Sequence, residues 1–401
     1  MHLFFKHLAC RLLLAAVIGG GVISSLPAQQ ADSSQHPLLE ARQLMLSYHY
    51  QQAIPLLLTA AGTDSTAAEA RWLLGQCYSQ TGQTAAAKGQ LQQLLEVEPA
   101  HQPAWSLLGG LYLRETHYGA AADCYDQALA LDSTNAYYHR QRASIASRQG
   151  ALSLAMHHYQ QALALNEHDV ESLTELAELW LKTGNAAQSS QLLLQGLALD
   201  SANLRLWRLQ ARVAYRQKAY QAVVSAMEYP LAAGDTSHYY LQLLGISHFH
   251  LGRYPEAIRW LDFLQQQGVD TEVLNYYLGL SYRNNGQPEK AIVLLEKAVK
   301  KGMSENLGHY YTQLAVSYEE KGDHGKAIQA YQLAYKDSGD RLLLYHLARN
   351  YDRYYKDKKV ALRYYEKFLV EVDTVNTGYQ DYARYRASQL KEHIHFSADT
   401  L

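Results

Sequence analysis

Four arginines, Arg205, Arg208, Arg212 and Arg216, stand three, four and four residues apart in the stretch LRLWRLQARVAYRQK. On a helix of about 3.6 residues per turn that spacing draws one cationic stripe along one face. Guanidinium groups are planar forks of N–H donors, so a row of them suits carboxylates and other anions. Trp207, Ala211 and Ala214 fall on a different face and suit packing. The chemistry on offer is binding, and the residues that would make or break bonds are missing. No Gly-rich phosphate loop, G-x-S-x-G or H-E-x-x-H motif occurs in the sequence.

Histidine numbers 18, which raises a metal site as a possibility. His248 and His250 are two residues apart, and neighbours two apart on a helix do not face each other. His248 also stands where a recurrent pattern places tyrosine, so it reads as a packed core residue. The pair His157 and His158 adds no further ligand set. No metal, cofactor or catalytic residue is therefore expected. Overall charge is balanced, with 36 Lys plus Arg against 38 Asp plus Glu and a net charge of -2. That excludes a globally basic nucleic-acid binder and a disordered acidic chain. Any electrostatic message must lie in local placement, as in the stripe.

The elements that would position the stripe are legible from self-comparison. Ala41, Gly75, Gly109, Ala143, Ala177, Ala211, Gly245 and Gly279 are small residues, each 34 positions after the last. A second series follows twelve residues later: Ala53, Ala87, Ala121, Ala155, Ser189, Ala257 and Ala291, with Val223 as the exception. Two small residues per repeat mark a close crossing of two antiparallel helices. Larger apolar residues flank the crossing at i, i+3, i+4 and i+7, as in Trp105, Leu108, Gly109 and Tyr112. Gly82, Gly150, Gly184, Gly252, Gly286 and Gly322 fall at the turns between helices. Two further repeats with shifted spacing follow, around Ala315 and Ala327, then Ala348 and Ala361. Pro230 lies within a second helix and is expected to stop or kink it near Tyr229.

This pattern resembles the tetratricopeptide repeat family, with its W-x2-L-G-x2-Y … A-x3-F … A … P signature over 34 residues. The resemblance is carried by Trp105, Leu108, Gly109, Tyr112, Ala121, Tyr125 and Ala128. It recurs in Leu74, Gly75, Tyr78, Ala87, Leu91 and Pro99, and in Leu278, Gly279, Tyr282, Ala291, Leu295 and Ala298. It implies an all-α, right-handed superhelical solenoid of about ten two-helix repeats over residues 34–375. Residues 376–401 are expected to form a capping helix and tail, the helix covering the last apolar face. The resemblance further implies that first helices line a concave groove, which they present through five places of each repeat. Repeats four to six then contribute Arg140, Arg148, Lys182, Arg205, Arg208, Arg212 and Arg216, with Glu171 and Glu178 as partial compensation. Repeats seven and eight contribute Tyr239, Ile246, Phe249, Tyr276 and Leu280.

A cationic wall beside an aromatic stretch points to a non-catalytic scaffold for a protein or peptide segment carrying acidic groups. Binding of an anionic surface polymer is the rival reading, and an accessory subunit of an envelope enzyme or secretion complex is a third. The lysine and asparagine clamp by which one subgroup of the family holds chaperone C-termini has no counterpart here. Residues 1–28 read as an export signal: Lys6 and Arg11, an apolar run from Leu12 to Ile18, three glycines, and Ala28 at a cleavage point. The apolar stretch from Leu12 to Leu26 is shorter than the ~18 residues a membrane span needs, which favours cleavage over an anchor. A bacterial periplasmic or extracellular location follows, with no transmembrane span after cleavage. Cys77 and Cys124 would remain, and their spacing suggests packing residues rather than a disulfide framework or zinc site.

Overall fold

The computed structural model describes residues 35–302, 305–371 and 377–398. The expected leader, 1–28, lies outside the described residues. Among the described residues all regular structure is helical, in 21 helices. The chain divides into two compact units, Met1–Thr134 and Asn135–Leu401.

The first unit holds α1 (Gln35–Leu46), α2 (Tyr50–Ala61), α3 (Ala67–Gln80), α4 (Thr84–Val97), α5 (Gln102–Arg114) and α6 (Tyr118–Leu131). They form three helical hairpins, α1 with α2, α3 with α4 and α5 with α6, and each hairpin packs on the next. Leu57, Leu74, Leu91, Leu94 and Leu111 are completely buried between them. The crossings of α3 with α4 and α5 with α6 are tight because one partner has no side chain. A Cβ built on Gly75 would stand 2.7 Å from Leu91 Cδ2, and one on Gly109 would stand 2.8 Å from Tyr125 Cε2. Cys77 and Cys124 are free and buried, and burial pushes their thiols up to about 11 and about 12. They act as small packing residues.

The second unit is built of helical hairpins of the same kind. It holds α7 (Ala136–Arg148), α8 (Leu152–Leu165), α9 (Val170–Lys182), α10 (Ala186–Leu199), α11 (Leu204–Arg216), α12 (Tyr220–Ala232), α13 (His238–His250) and α14 (Tyr254–Gln266). After these come α15 (Glu272–Asn284), α16 (Pro288–Lys301), α17 (Leu307–Glu320), α18 (His324–Ser338), α19 (Leu342–Tyr354), α20 (Lys359–Glu371) and α21 (Thr377–Ala398). Several first helices begin with a side-chain cap. Asn135 accepts from the amides of Tyr137 and Tyr138, and Asn203 from those of Arg205 and Leu206. The last helix, α21, closes the stack by setting Ala383, Ala387 and Leu390 against Tyr345, Tyr365 and Phe368.

The turn inside each hairpin from α1–α2 to α17–α18 uses one left-handed residue. Gly82, Gly150, Gly184, Gly252, Gly286 and Gly322 all have φ between 72° and 90°. At the same register, one period away, stand Tyr48, Thr116 and Lys218 with φ of 62°, 60° and 57°. A side chain with a Cβ is strained there, and a β-branched one more so. Thr116→Gly is expected to raise stability by about 0.5–1 kcal/mol, the relieved strain exceeding the added freedom of the unfolded chain. Urea unfolding read by circular dichroism checks it, and a lower midpoint would count against strain at this turn.

Pro230 does not stop its helix at Tyr229. α12 runs on to Ala232, with Pro230 buried in its last turn. So close to the end, the missing N–H removes a single hydrogen bond, and the chain leaves the helix within two residues. The amide of Asp235 then closes back on the Pro230 carbonyl at 2.8 Å. The loop that follows, with Gly234 at φ 80°, places Asp235 beneath α11.

Candidate functional site

First helices of neighbouring repeats touch one another: α9 with α11, α11 with α13, α13 with α15 and α15 with α17. Their exposed residues therefore share a surface, and the register of 34 residues sets like positions side by side.

The arginine stripe is on this surface, but it is not a row of free cations. Arg205 Nη2 lies 2.6 Å from Glu175 Oε1 and 3.3 Å from Glu178 Oε2. Arg212 Nη1 lies 2.9 Å from the other Glu178 oxygen. Arg208 Nε donates to Asp235 Oδ2 at 2.7 Å and its Nη2 to Ser237 Oγ at 3.2 Å, and its guanidinium sits 5.6 Å from the Tyr240 ring. Arg140 does the same two repeats earlier, 3.0 Å from Asp169 and 3.5 Å from Glu171. Burial pushes the Glu178 carboxyl up, but the hydrogen bonds and charges of Arg212 and Arg205 outweigh it and hold the group below its ordinary value. Each partner lies 27 to 34 residues away, which on a 34-residue period is the neighbouring repeat. The arginines thus join repeat to repeat. Arg140, Arg205, Arg208 and Arg212, expected to face a partner, are ion-paired to carboxylates of their own chain.

The cations left over fall at one register. Arg148, Lys182 and Arg216 are the last residues of α7, α9 and α11, exposed and with no ion pair among the described residues. A cation in the last turn also suits the negative end of the helix dipole.

The next residue in this register is His250, and around it the surface turns aromatic. His250 stacks on Tyr220, with centroids 4.3 Å apart and planes at 9°. Phe249 lies 5.4 Å from Tyr277 and 5.9 Å from Tyr254, and His250 lies 5.6 Å from Tyr277. Tyr215 meets Tyr220 edge-on at 6.1 Å. Phe249, Tyr277, Tyr215 and Tyr220 are half-buried, each leaving part of its ring open to solvent. Burial, then the charge of Lys218, lowers the His250 imidazole from its ordinary value, which favours the neutral ring.

Three residues assigned to this surface from the sequence are core. Tyr276 is 7% exposed and packs against Tyr310 at 4.5 Å, while Ile246 and Leu280 are buried. The next aromatic, Tyr277, is the one that reaches the surface. Tyr239 is 57% exposed and touches Tyr240 edge-on. Tyr215, Tyr220 and Tyr277 were not singled out from the sequence. Tyr215 occupies one of the five groove-facing places, between Arg212 and Arg216.

Models of the tetratricopeptide repeat match residues 44–111, 104–137, 146–213 and 276–341, together more than half of the chain. The chain is 34% identical over 95 residues to the ER membrane protein complex subunit 2 of Xenopus tropicalis, covering 23% of this chain and 32% of that protein. It is 25% identical over 262 residues to the DnaJ homolog subfamily C member 7 of Mus musculus, covering 61% of this chain and 53% of that one. It therefore spans about a third and about half of these relatives' lengths. A solved tetratricopeptide repeat protein from Parabacteroides merdae is similar at 18% identity and a TM-score of 0.44, covering 62% of this chain and 98% of that one. The matched repeat models, falling on successive helical hairpins, make this chain a member of the tetratricopeptide repeat family.

Proposed function

We propose that the chain is a non-catalytic scaffold that captures an extended or helical protein segment on the first-helix surface of its second unit. The family fold supports protein–protein interaction in general. The observation that carries the finer reading is the half-open aromatic cluster of Phe249, Tyr277, Tyr215 and Tyr220 at the end of the unpaired Arg148, Lys182 and Arg216 row. Aromatic rings already held in place bind apolar side chains with little further loss of freedom. The cations would orient acidic groups of the partner and speed its encounter. The basic and then apolar start of the sequence supports an exported setting in a bacterial envelope.

A pull-down from native envelope extract tests this with two variants. Phe249→Ala with Tyr277→Ala is expected to lose the captured protein at all salt concentrations. Reversing Arg148, Lys182 and Arg216 to glutamate is expected to weaken capture mainly at low salt, where exposed charges are least screened. If both variants retain the same proteins as wild type, this surface is not the binding site. If only the charge reversal matters and the retained material is polysaccharide, the surface binds an anionic polymer instead.

A further inference from the structure

Between α19 and the closing helix α21 lies a small cavity of about 170 Å³. Arg349 and Arg353 of α19 and Arg386 of α21 line it, together with Asp352, Tyr365 and Tyr385. Its positive charge is only partly matched. Arg386 grips Asp352 through Nε at 2.6 Å and Nη2 at 3.1 Å, and Lys358 Nζ stands 3.5 Å from the same carboxylate. Arg349 and Arg353 share one oxygen, Glu319 Oε1, at 3.3 and 3.4 Å. Four cations thus face two carboxylates, a local excess of two positive charges.

Hydrogen-bond donors are in excess as well. Gln389 is fixed at both ends of its amide: Nε2 donates to Tyr385 Oη at 2.6 Å, and Oε1 accepts from Arg386 Nη1 at 2.8 Å. Tyr385 therefore keeps its own proton to give. Tyr365 is completely buried, and its hydroxyl has no hydrogen-bond partner. Buried hydroxyls are almost always paired, so one left alone beside a cavity marks a missing acceptor. Burial raises the Tyr365 phenol well above the ordinary range, and the fields acting on it come from Tyr382, Asp352, Tyr345 and Arg386. Three of those four residues line the same cavity. The group remains a protonated donor.

We propose that this cavity binds the phosphate group of a small anion or a phosphorylated side chain. A phosphate dianion balances the excess of two charges, whereas a carboxylate would leave one uncompensated. Clustered guanidinium groups with neutral O–H donors match its several acceptor oxygens. The site shares no residue with the aromatic surface of α11 to α15, so the two readings stand or fall separately.

Isothermal titration calorimetry on the full chain tests this with inorganic phosphate, a short phosphoserine peptide and the same peptide unphosphorylated. Tyr365→Phe removes one hydroxyl and keeps the ring. Arg353→Gln removes one half-exposed cation. Each is expected to weaken binding by about tenfold or more, while Tyr365→Phe without phosphate melts no lower than wild type. Tighter binding of the phosphopeptide than of phosphate assigns the site to a modified partner segment, and equal binding assigns it to a free anion. Absence of binding by either probe at millimolar concentration would overturn the proposal. So would binding that Tyr365→Phe leaves unchanged, or equal affinity for the unphosphorylated peptide.

Discussion

Tyr331→Ala is expected to cost about 3–5 kcal/mol, the range for emptying a large aromatic site in a core. Tyr331 of α18 is 0% exposed and stacks on His346 of α19, with centroids 5.2 Å apart and planes at 17°. Its hydroxyl donates to Glu319 Oε2 at 3.1 Å, and that oxygen also accepts from Asn350 Nδ2 at 3.1 Å. Alanine would empty the ring's volume and remove one bond from a half-buried carboxylate that helps join α17 to α19. Tyr331→Phe is the control, keeping the ring and losing about 1 kcal/mol for the single hydrogen bond. Neighbouring repeats share stability mainly with each other, so hydrogen exchange should rise most in α17 to α20. Urea unfolding gives the magnitude. Equal losses for the two variants would mean that the ring's packing contributes little.

Asp235→Asn is expected to lower stability by about 2 kcal/mol at neutral pH. The Asp235 side chain is 3% exposed and accepts from Arg208 Nε, the Ser237 amide at 3.0 Å and Ser237 Oγ at 2.6 Å. The hydrogen bond from Arg208 first, and then those from Ser237, hold its carboxyl down at about 2 against an ordinary 3.8, in spite of burial. A carboxyl depressed by folding stabilises fully above its unfolded value and loses that contribution as pH falls toward its folded one. Wild type and variant should therefore differ most at pH 7 and converge as pH drops below about 4. Denaturation at both ends of that range measures the gap, and a pH-independent gap would mean that the carboxylate's charge is irrelevant.

The repeat was legible because its cause is local and recurs. A glycine or alanine is needed wherever two helices cross closely, and that need returned every 34 residues from Ala41 to Gly279. The turns were legible where they used glycine. Tyr48, Thr116 and Lys218 were hidden, since nothing in the type of those residues announces a left-handed backbone. Pro230 misled because its effect depends on distance from the helix end, which the sequence leaves uncertain by a few residues. Arginine placement was visible, but the pairing was only half so. Glu178 lies on the same surface by register, whereas Asp235 reaches Arg208 from a loop shaped by the end of α12. Tyr276 and Tyr277 are adjacent, and only the contact with Tyr310 decides which one turns inward.

The ion pairs of Arg205 and Arg212 with Glu175 and Glu178 span the joint between two hairpins rather than the hairpins themselves. Dissolved salt weakens such half-exposed contacts while leaving buried apolar contacts nearly untouched. Under tension, the stretch from α9 to α11 should thus act as a spring that is stiff in dilute buffer and slack in brine, yielding at its hinge well before any coil unwinds.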